Sequence, residues 1–480
     1  MKFIRKLVWA FAAIIVAATG GTALFAQRSA AATSGCDCNP TQVIIQLVNA
    51  ADLAAVAAQY GLEPSPAAQV GSPAVYLMAI KQNVPVPPTP PQVVASMGGD
   101  VRLLFAETNR RFSQVEAEGL PWTQGRSWAI GRSWAIGGSV KGVQSQWFPA
   151  RIRLNEAFAA AGTRGLRTDN GQPIVVAVLD TGIDLTHPAF AGRLVDVADR
   201  WDFVDGDNDP TEVGVLRTDA AFGHGTHVAG IVSQVVPDAK IMPLRVLGPD
   251  GSGELWRITA ALIWAANHGA SVANLSIGYP ENVRLLHDLL DNLDPGPTEP
   301  ATNFPEIGTN RLAVSVAAGN GGSTAQVFPA AETRDGMLSV AASSRYDSSA
   351  PAGTPDGLAD FASYDRTWVD VSAPGENIVS TLPGGRYGMW SGSSMAAPIV
   401  AGIAALLKAQ HPDAVTYPTP HDLLNRIKHT SVDKRWSNLP PWGQVRLDRV
   451  DALCAVTNDN ACPQAINLTN AFRPEQFLSK

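Results

Sequence analysis

"PIVVAVLDTGIDLTHP" occupies residues 173–188. Its first seven residues are apolar without alternation, as in a strand that helices cover on both faces of a parallel sheet. The run ends on Asp180 and breaks into a polar, glycine-bearing loop. In open α/β sheets ligands bind beyond the carboxyl ends of the strands, so an acid there is a candidate functional group. Working outward, "AKIMPLRVL" (239–247), "ASVANLSIG" (270–278), "RLAVSVAAGN" (311–320) and "GMLSVAAS" (336–343) repeat the texture. Between them a helix is expected from about Leu255 to His268. Leu255, Ile258, Ala261, Leu262 and Ala265 share one side, and Gly269 stops it. Strands alternating with helices define an α/β domain, layered around a mainly parallel sheet, that begins near residue 147.

Three further stretches carry chemistry. "SGSSMAAPIVAG" (391–402) places a serine cluster at the mouth of a small-residue helix that ends near Gln410. Pro398 is expected in the first turn, where a missing N–H costs little. A serine there is an ordinary helix cap on its own, but the free N–H groups and dipole of a helix start also favour developing negative charge. "FGHGTHVAG" (222–230) sets His224 between glycines at another helix start, with His227 read as an internal helix residue. The pair lacks the i, i+4 spacing and intervening glutamate of a zinc protease helix. Asp180 and Asp184 both could orient His224. Asp180, fixed at the end of a core strand, meets the need for a desolvated carboxylate better. "AAGNGG" (317–322) offers Asn320, whose side-chain amide could donate to an oxyanion together with the Ser394 N–H. The chain order Asp180, His224, Ser394 differs from that of the α/β-hydrolases and the chymotrypsin type, and matches the third known triad order.

Upstream, residues 41–113 read as a small α+β unit. "VIIQLV" (43–48) and "VYLMAI" (75–80) are strands, "NAADLAAVAAQYG" (49–61) is a helix stopped by Gly61, and "VRLLFAETN" (101–109) is another strand. Residues 114–146 read as a linker carrying the tandem hexapeptide "GRSWAI" at 125–130 and 131–136. Two copies are too few for a solenoid, and such a linker is a natural cleavage site. At the N-terminus, Lys2, Arg5 and Lys6 precede an apolar run from Leu7 to Ala18 and small residues to Ala26. This is a signal-peptide layout over 1–26, with an uncleaved membrane anchor as the alternative.

The chain of 480 residues is 45% hydrophobic and 16% charged, with a formal net charge of −7. No basic run follows the N-terminus, which argues against nucleic acid as a partner. Of four cysteines, Cys454 and Cys462 could close a short disulfide, whereas Cys36 and Cys38 have no comparable reading. "WDFVDGDNDPTE" (201–212) sets Asp205, Asp207 and Asp209 at alternate positions, candidate calcium ligands or a solvated acidic loop.

"VAVLDTGID", "GHGTHVAG", "AAGN" and "GSSMAAPIVAG" together resemble the four signature blocks of the subtilisin-like serine proteases, over about 147–455. The resemblance implies a three-layer peptidase domain whose triad is Asp180, His224 and Ser394, with Asn320 in the oxyanion hole. Ser393 stands where the family usually has threonine. "GSG" (Gly251, Ser252, Gly253) and "LSIG" (Ser276, Ile277, Gly278) resemble the segments that hold substrate as an added strand. Ala317, Ala318 and Gly319 look like one wall of a primary pocket, roomy enough for large hydrophobic side chains. Residues 27–113 resemble the family's inhibitory, ferredoxin-like propeptides, with "FAETNRRF" (105–112) near the end of the unit. The expectation is therefore a secreted, self-processed, monomeric endopeptidase acting on proteins or peptides. It would have its own propeptide as inhibitor, no cofactor needed for chemistry, and a tail at 456–480. A catalytically silent binding module, or an esterase or peptide ligase with the same triad, are the alternatives.

Overall fold

The computed structural model describes residues 36–115, 143, 146–215, 218–294, 304–308, 310–346, 355–413, 415–431, 435–436 and 445–458. The expected signal segment, the GRSWAI repeat and nearly all of the expected tail lie outside these residues.

The small unit is built from β1 (Cys38–Leu47), α1 (Leu53–Gln59), β2 (Ala68–Val70), β3 (Val75–Ala79), α2 (Pro90–Ser96) and β4 (Leu103–Gln114). Its antiparallel strands lie in the order β4-β1-β3-β2, a ferredoxin-like arrangement. Helix α2 was not foreseen in the sequence; Thr89 and Gln92 form its capping box and prolines open it. Strand alternation sorts the side chains of the sheet. Val43, Ile45, Leu47, Tyr76 and Met78 face a core shared with Val56 and Val93 of the two helices. Ile44, Val75 and Leu77 face the other way and join the core of the large domain.

The large domain follows, with β5 (Val175–Asp180), β6 (Trp201–Asp202), α3 (His224–Val235), β7 (Lys240–Arg245), β8 (Ser252–Glu254), α4 (Leu255–Asn267), β9 (Val272–Leu275), β10 (Ile277–Gly278), α5 (Arg284–Leu293), β11 (Ala313–Ala317), β12 (Met337–Tyr346), β13 (Pro355–Leu358) and β14 (Val371–Pro374). The hairpin β15 (Ile378–Leu382) and β16 (Arg386–Trp390) precedes α6 (Ser393–Gln410). The main sheet runs β13-β12-β11-β9-β5-β7-β6, with β14 beside β12. Every pairing in it is parallel except β12 with β13. From β5 the chain moves to β6 at one edge, returns through α3 to β7 beside β5, and then passes through α4 to β9 on the other side of β5. The carboxyl end of β5 thus lies where the strand order reverses.

Helix α6 is long and apolar enough to span a bilayer by composition, yet it is 89% buried within the domain. Pro398 falls in its second turn rather than its first. A proline at that depth removes the N–H that would bond the Ser394 carbonyl four residues earlier. Ser276 Oγ donates to that oxygen instead, at 3.3 Å.

Candidate active site

Asp180 closes β5, and its Oδ1 accepts from both the Thr181 N–H, at 2.8 Å, and His224 Nδ1, at 2.7 Å. Bonding at Nδ1 leaves Nε2 as the basic nitrogen of the ring. His224 is the first residue of α3. The helix can come this close because residue 225 is glycine: a Cβ there would sit 2.1 Å from the Gly182 carbonyl oxygen. The rings of His224 and His227 both stack on buried Trp390, at 5.7 and 4.8 Å between centroids. Burial, with His224 as neighbour, pushes the His227 imidazole down to about 3. His227 is therefore neutral, and its Nε2 faces the Gly388 carbonyl at 3.2 Å.

Ser394 is the second residue of α6, so its N–H is among those a helix start leaves to outside acceptors. Ser393 locks this helix start to the loop after β11. Its N–H donates to Asn320 Oδ1 at 2.8 Å, and its Oγ accepts from the Gly319 N–H at 3.0 Å. Asn320 Oδ1 is the acceptor in that bond, and Nδ2 is the donor end of the same carboxamide.

Asp180, His224, Ser394 and Asn320 are all at most 5% exposed. The end of β4 lies over this region. Phe112 and Ser113 pair with Gly253 and Ser252 of β8, while Ser113 and Gln114 pair with Gly278 and Ile277 of β10. The Gln114 N–H donates to the Gly251 carbonyl at 2.8 Å. The strand thus runs to Gln114, one residue past the expected end of the unit, and fills the groove between the two expected binding segments. Val115 then lines a cavity of about 180 Å³ with Pro280, Gly319, Asn320 and Val327. Of the three expected wall residues only Gly319 lines that cavity; Ala317 and Ala318 are wholly buried.

Other contacts hold the small unit on the large one. Glu107 accepts from the Arg284 and Leu285 N–H groups at 3.0 Å each, at the start of α5. Asn109 Oδ1 accepts from the Trp256 N–H at 3.1 Å, at the start of α4. Arg110 pairs with Glu281 at 3.0 Å and lies over the Tyr279 ring.

Asp184 does not face His224; its carboxylate accepts from the Thr186 hydroxyl and the Gly384 and Gly385 N–H groups. Asp205, Asp207 and Asp209 do not converge into a cage. Asp205 pairs with the Arg245 guanidinium at 2.6 Å, a cation already in place, while Asp207 and Asp209 cap their own turns. Among the described residues no group of three or more His, Cys, Asp or Glu side chains is disposed to hold a metal. Cys36 and Cys38, which had no pairing by sequence, are joined by a disulfide. Cys454 is also disulfide-bonded, in a helix that continues to Thr457, past the expected domain end at 455; Cys462 lies outside the described residues.

Sequence reasoning passed over Glu212, which is buried behind Asp180 and takes hydrogen bonds from Thr181, Gly223 and Thr226. An acid in a loop with four other acids carries no spacing signal. It also passed over Trp390, at the end of a hairpin strand.

The sequence profile of the Subtilase family, Peptidase_S8, matches residues 171–450. A thermophilic serine proteinase of Bacillus sp. (strain AK1) is 39% identical over 49% of this chain, an alignment that spans 52% of that protein. Subtilisin BL of Lederbergia lenta is 33% identical over 60% of this chain and 93% of its own length. Thermitase of Thermoactinomyces vulgaris is 33% identical over 55% of this chain and 82% of its own. A solved structure of a cold-adapted subtilisin-like serine proteinase aligns at 27% identity and a TM-score of 0.45, over 58% of this chain and 88% of that one. The chain belongs to the subtilase family of serine proteases.

Proposed function

We propose that the chain is a secreted, self-processing endopeptidase in which Ser394 is the nucleophile, His224 the general base and Asp180 its orienting acid. His224 Nε2 takes the hydroxyl proton as Ser394 Oγ attacks the peptide carbonyl. Asn320 Nδ2 and the Ser394 N–H receive the oxyanion, and His224 returns the proton to the leaving amine. Water then resolves the acyl-enzyme by the same relay. The observation that carries this reading is the buried 2.7 Å pair of Asp180 and His224 at the carboxyl edge of the sheet, with the Ser393–Asn320 lock beside it.

The same reading makes residues 36–115 an inhibitory propeptide. Its last strand lies in the groove as a substrate would, adding a backbone-paired strand between β8 and β10. Val115 is the residue at the cavity beside Asn320, so the cut falls on its carboxyl side. Phe112, fully buried with its ring 5.3 Å from that of Tyr279, is the second anchor. Protein and peptide substrates would bind in the same way, with an apolar residue in the place of Val115.

A fluorophosphonate probe tests the nucleophile: wild type is labelled and Ser394→Ala is not. N-terminal sequencing of the processed form tests the cut. A new terminus at Glu116, with Ser394→Ala remaining full length, is the expected result. Processing of Ser394→Ala alone at the wild-type rate would refute self-cleavage.

A further inference from the structure

Glu212 is buried, at 8% exposure, and joins the two halves of the Asp180–His224 pair. Its Oε1 accepts from Thr181 Oγ1 at 2.5 Å and from the Gly223 N–H at 2.6 Å. Its Oε2 accepts from the Thr226 N–H at 3.1 Å and from the Thr226 hydroxyl. Thr181 directly follows Asp180, while Gly223 and Thr226 bracket His224. Thr181 Oγ1 also accepts from the Gly225 N–H at 2.9 Å, closing the loop of contacts.

The arrangement answers a local need. Gly223 is the N-cap of α3 and has no side chain with which to bond the first N–H groups of the helix. Glu212 bonds them from a distant loop, and a carboxylate at a helix start is favoured by the dipole. Glu212 is itself held to the segment after Asp180: its N–H donates to the Ile183 carbonyl, and the Ile183 N–H to Pro210, both at 3.0 Å.

We propose that Glu212 is a positioning residue for the catalytic pair, setting the distance and angle between Asp180 and His224 by clamping the turn after one to the helix start of the other. It acts through Thr181 and the α3 backbone and does not touch substrate. The ionisable groups around it are Asp180 and Asp184 on the preceding loop, His224 and His227 on α3, and Arg245 on β7, whose guanidinium is bound to Asp202 and Asp205. Burial raises the Glu212 carboxyl most, with Asp180 adding to the rise and the hydrogen bonds opposing it. The charge on the clamp therefore changes near pH 7, to which burial pushes the carboxyl.

The proposal rests on the triad assignment, and the experiment separates the two. Mature wild type, Glu212→Gln and Glu212→Asp are first labelled with fluorophosphonate, then assayed with a peptide anilide ending in Phe-Ser-Gln-Val. The Gln variant keeps the shape but sets an amide N–H against a backbone N–H, and the Asp variant is one methylene short. Both are expected to lose about 10- to 100-fold in kcat with KM within twofold, as for a small misplacement of the catalytic groups. The Gln variant should also lose an ionisation from the kcat–pH profile and shift the downfield proton resonance of His224 Nδ1. A Gln variant that melts like wild type, with unchanged kcat, pH profile and resonance, would overturn the proposal. Failure of wild type to take the label would instead overturn the triad assignment. Glu212→Ala is a less useful test, because the cavity and orphaned donors it leaves could unfold the protein.

Discussion

Ser276 donates its hydroxyl to the carbonyl oxygen of Ser394, 3.3 Å away, across the gap left in the helical ladder by Pro398. The link between β9 and β10 and the start of α6 are thereby fastened at one point. Asn274 Nδ2 in turn donates to Ser276 Oγ at 3.0 Å, which fixes the hydroxyl direction.

Ser276→Ala is expected to lower stability by about 1 kcal/mol through loss of this bond. Pro398→Ala supplies a helical N–H to the same carbonyl, so the two changes should not be additive. In a double-mutant cycle by denaturant unfolding, the Ser276→Ala penalty should shrink in the Pro398→Ala background. Equal penalties in both backgrounds would show that the two groups do not serve the same oxygen.

Asp180→Asn should cost about 10⁴-fold in kcat, the size known for the equivalent change in another Ser-His-Asp enzyme, because the amide favours the wrong tautomer of His224. Asp184→Asn should leave kcat within about threefold, since that carboxylate serves Thr186, Gly384 and Gly385. Steady-state kinetics on one peptide substrate distinguishes the two acids directly.

The choice between those acids could be made from the sequence because it depended on one local fact, the position of Asp180 at the end of an unbroken apolar run. His224 and Ser394 likewise lie, as the sequence placed them, at glycine-marked helix starts. The layered, mainly parallel sheet also followed from alternating patterns, whereas the order of its strands did not. What could not be read was how remote loops are laid against those elements. The Ser393–Gly319 bond joins residues 74 apart, and the Thr181–Glu212 bond joins residues 31 apart. The acidic stretch at 205–209 stayed open between two readings for the same reason: Arg245, which pairs with Asp205, comes from a strand 40 residues away.

Asn320→Ala should lower kcat by about 10²–10³-fold with little change in KM, a magnitude carried over from the corresponding donor in subtilisin. Ser393→Ala removes the acceptor of the Gly319 N–H and frees the loop that carries Asn320. Its kcat should fall by a smaller factor, about tenfold, and Ser393→Thr, which keeps the hydroxyl, should restore it. Wild-type kcat in Ser393→Ala would remove the hydroxyl from the account.

Burial pushes the Glu212 carboxyl up to about 7 from an ordinary 4.5. Between those values the folded chain binds a proton that the unfolded chain has released. The contribution of this group to stability is therefore complete below about 4.5 and is lost as pH rises through about 7. In Glu212→Gln that window should flatten. Melting temperatures measured across it, for the Ser394→Ala form to prevent self-digestion, provide the test.

Arg245→Met should destabilise the fold by about 3–5 kcal/mol, because it leaves Asp202 charged and enclosed without its cation. Treating wild type with a chelator should not reproduce that loss. A comparable drop in melting temperature on chelation would show that an ion holds the 201–212 loop.

Ile44, Leu77 and Phe112 share one continuous apolar core with the strands of the large domain. Severing the backbone after Val115 would remove none of that packing, nor the helix-start bonds made by Glu107 and Asn109. If residues 36–115 inhibit as proposed, the nicked protein would stay as silent as the intact one until its smaller fragment departs or is destroyed. The onset of activity would be timed by that departure, and the scission would only make it permissible.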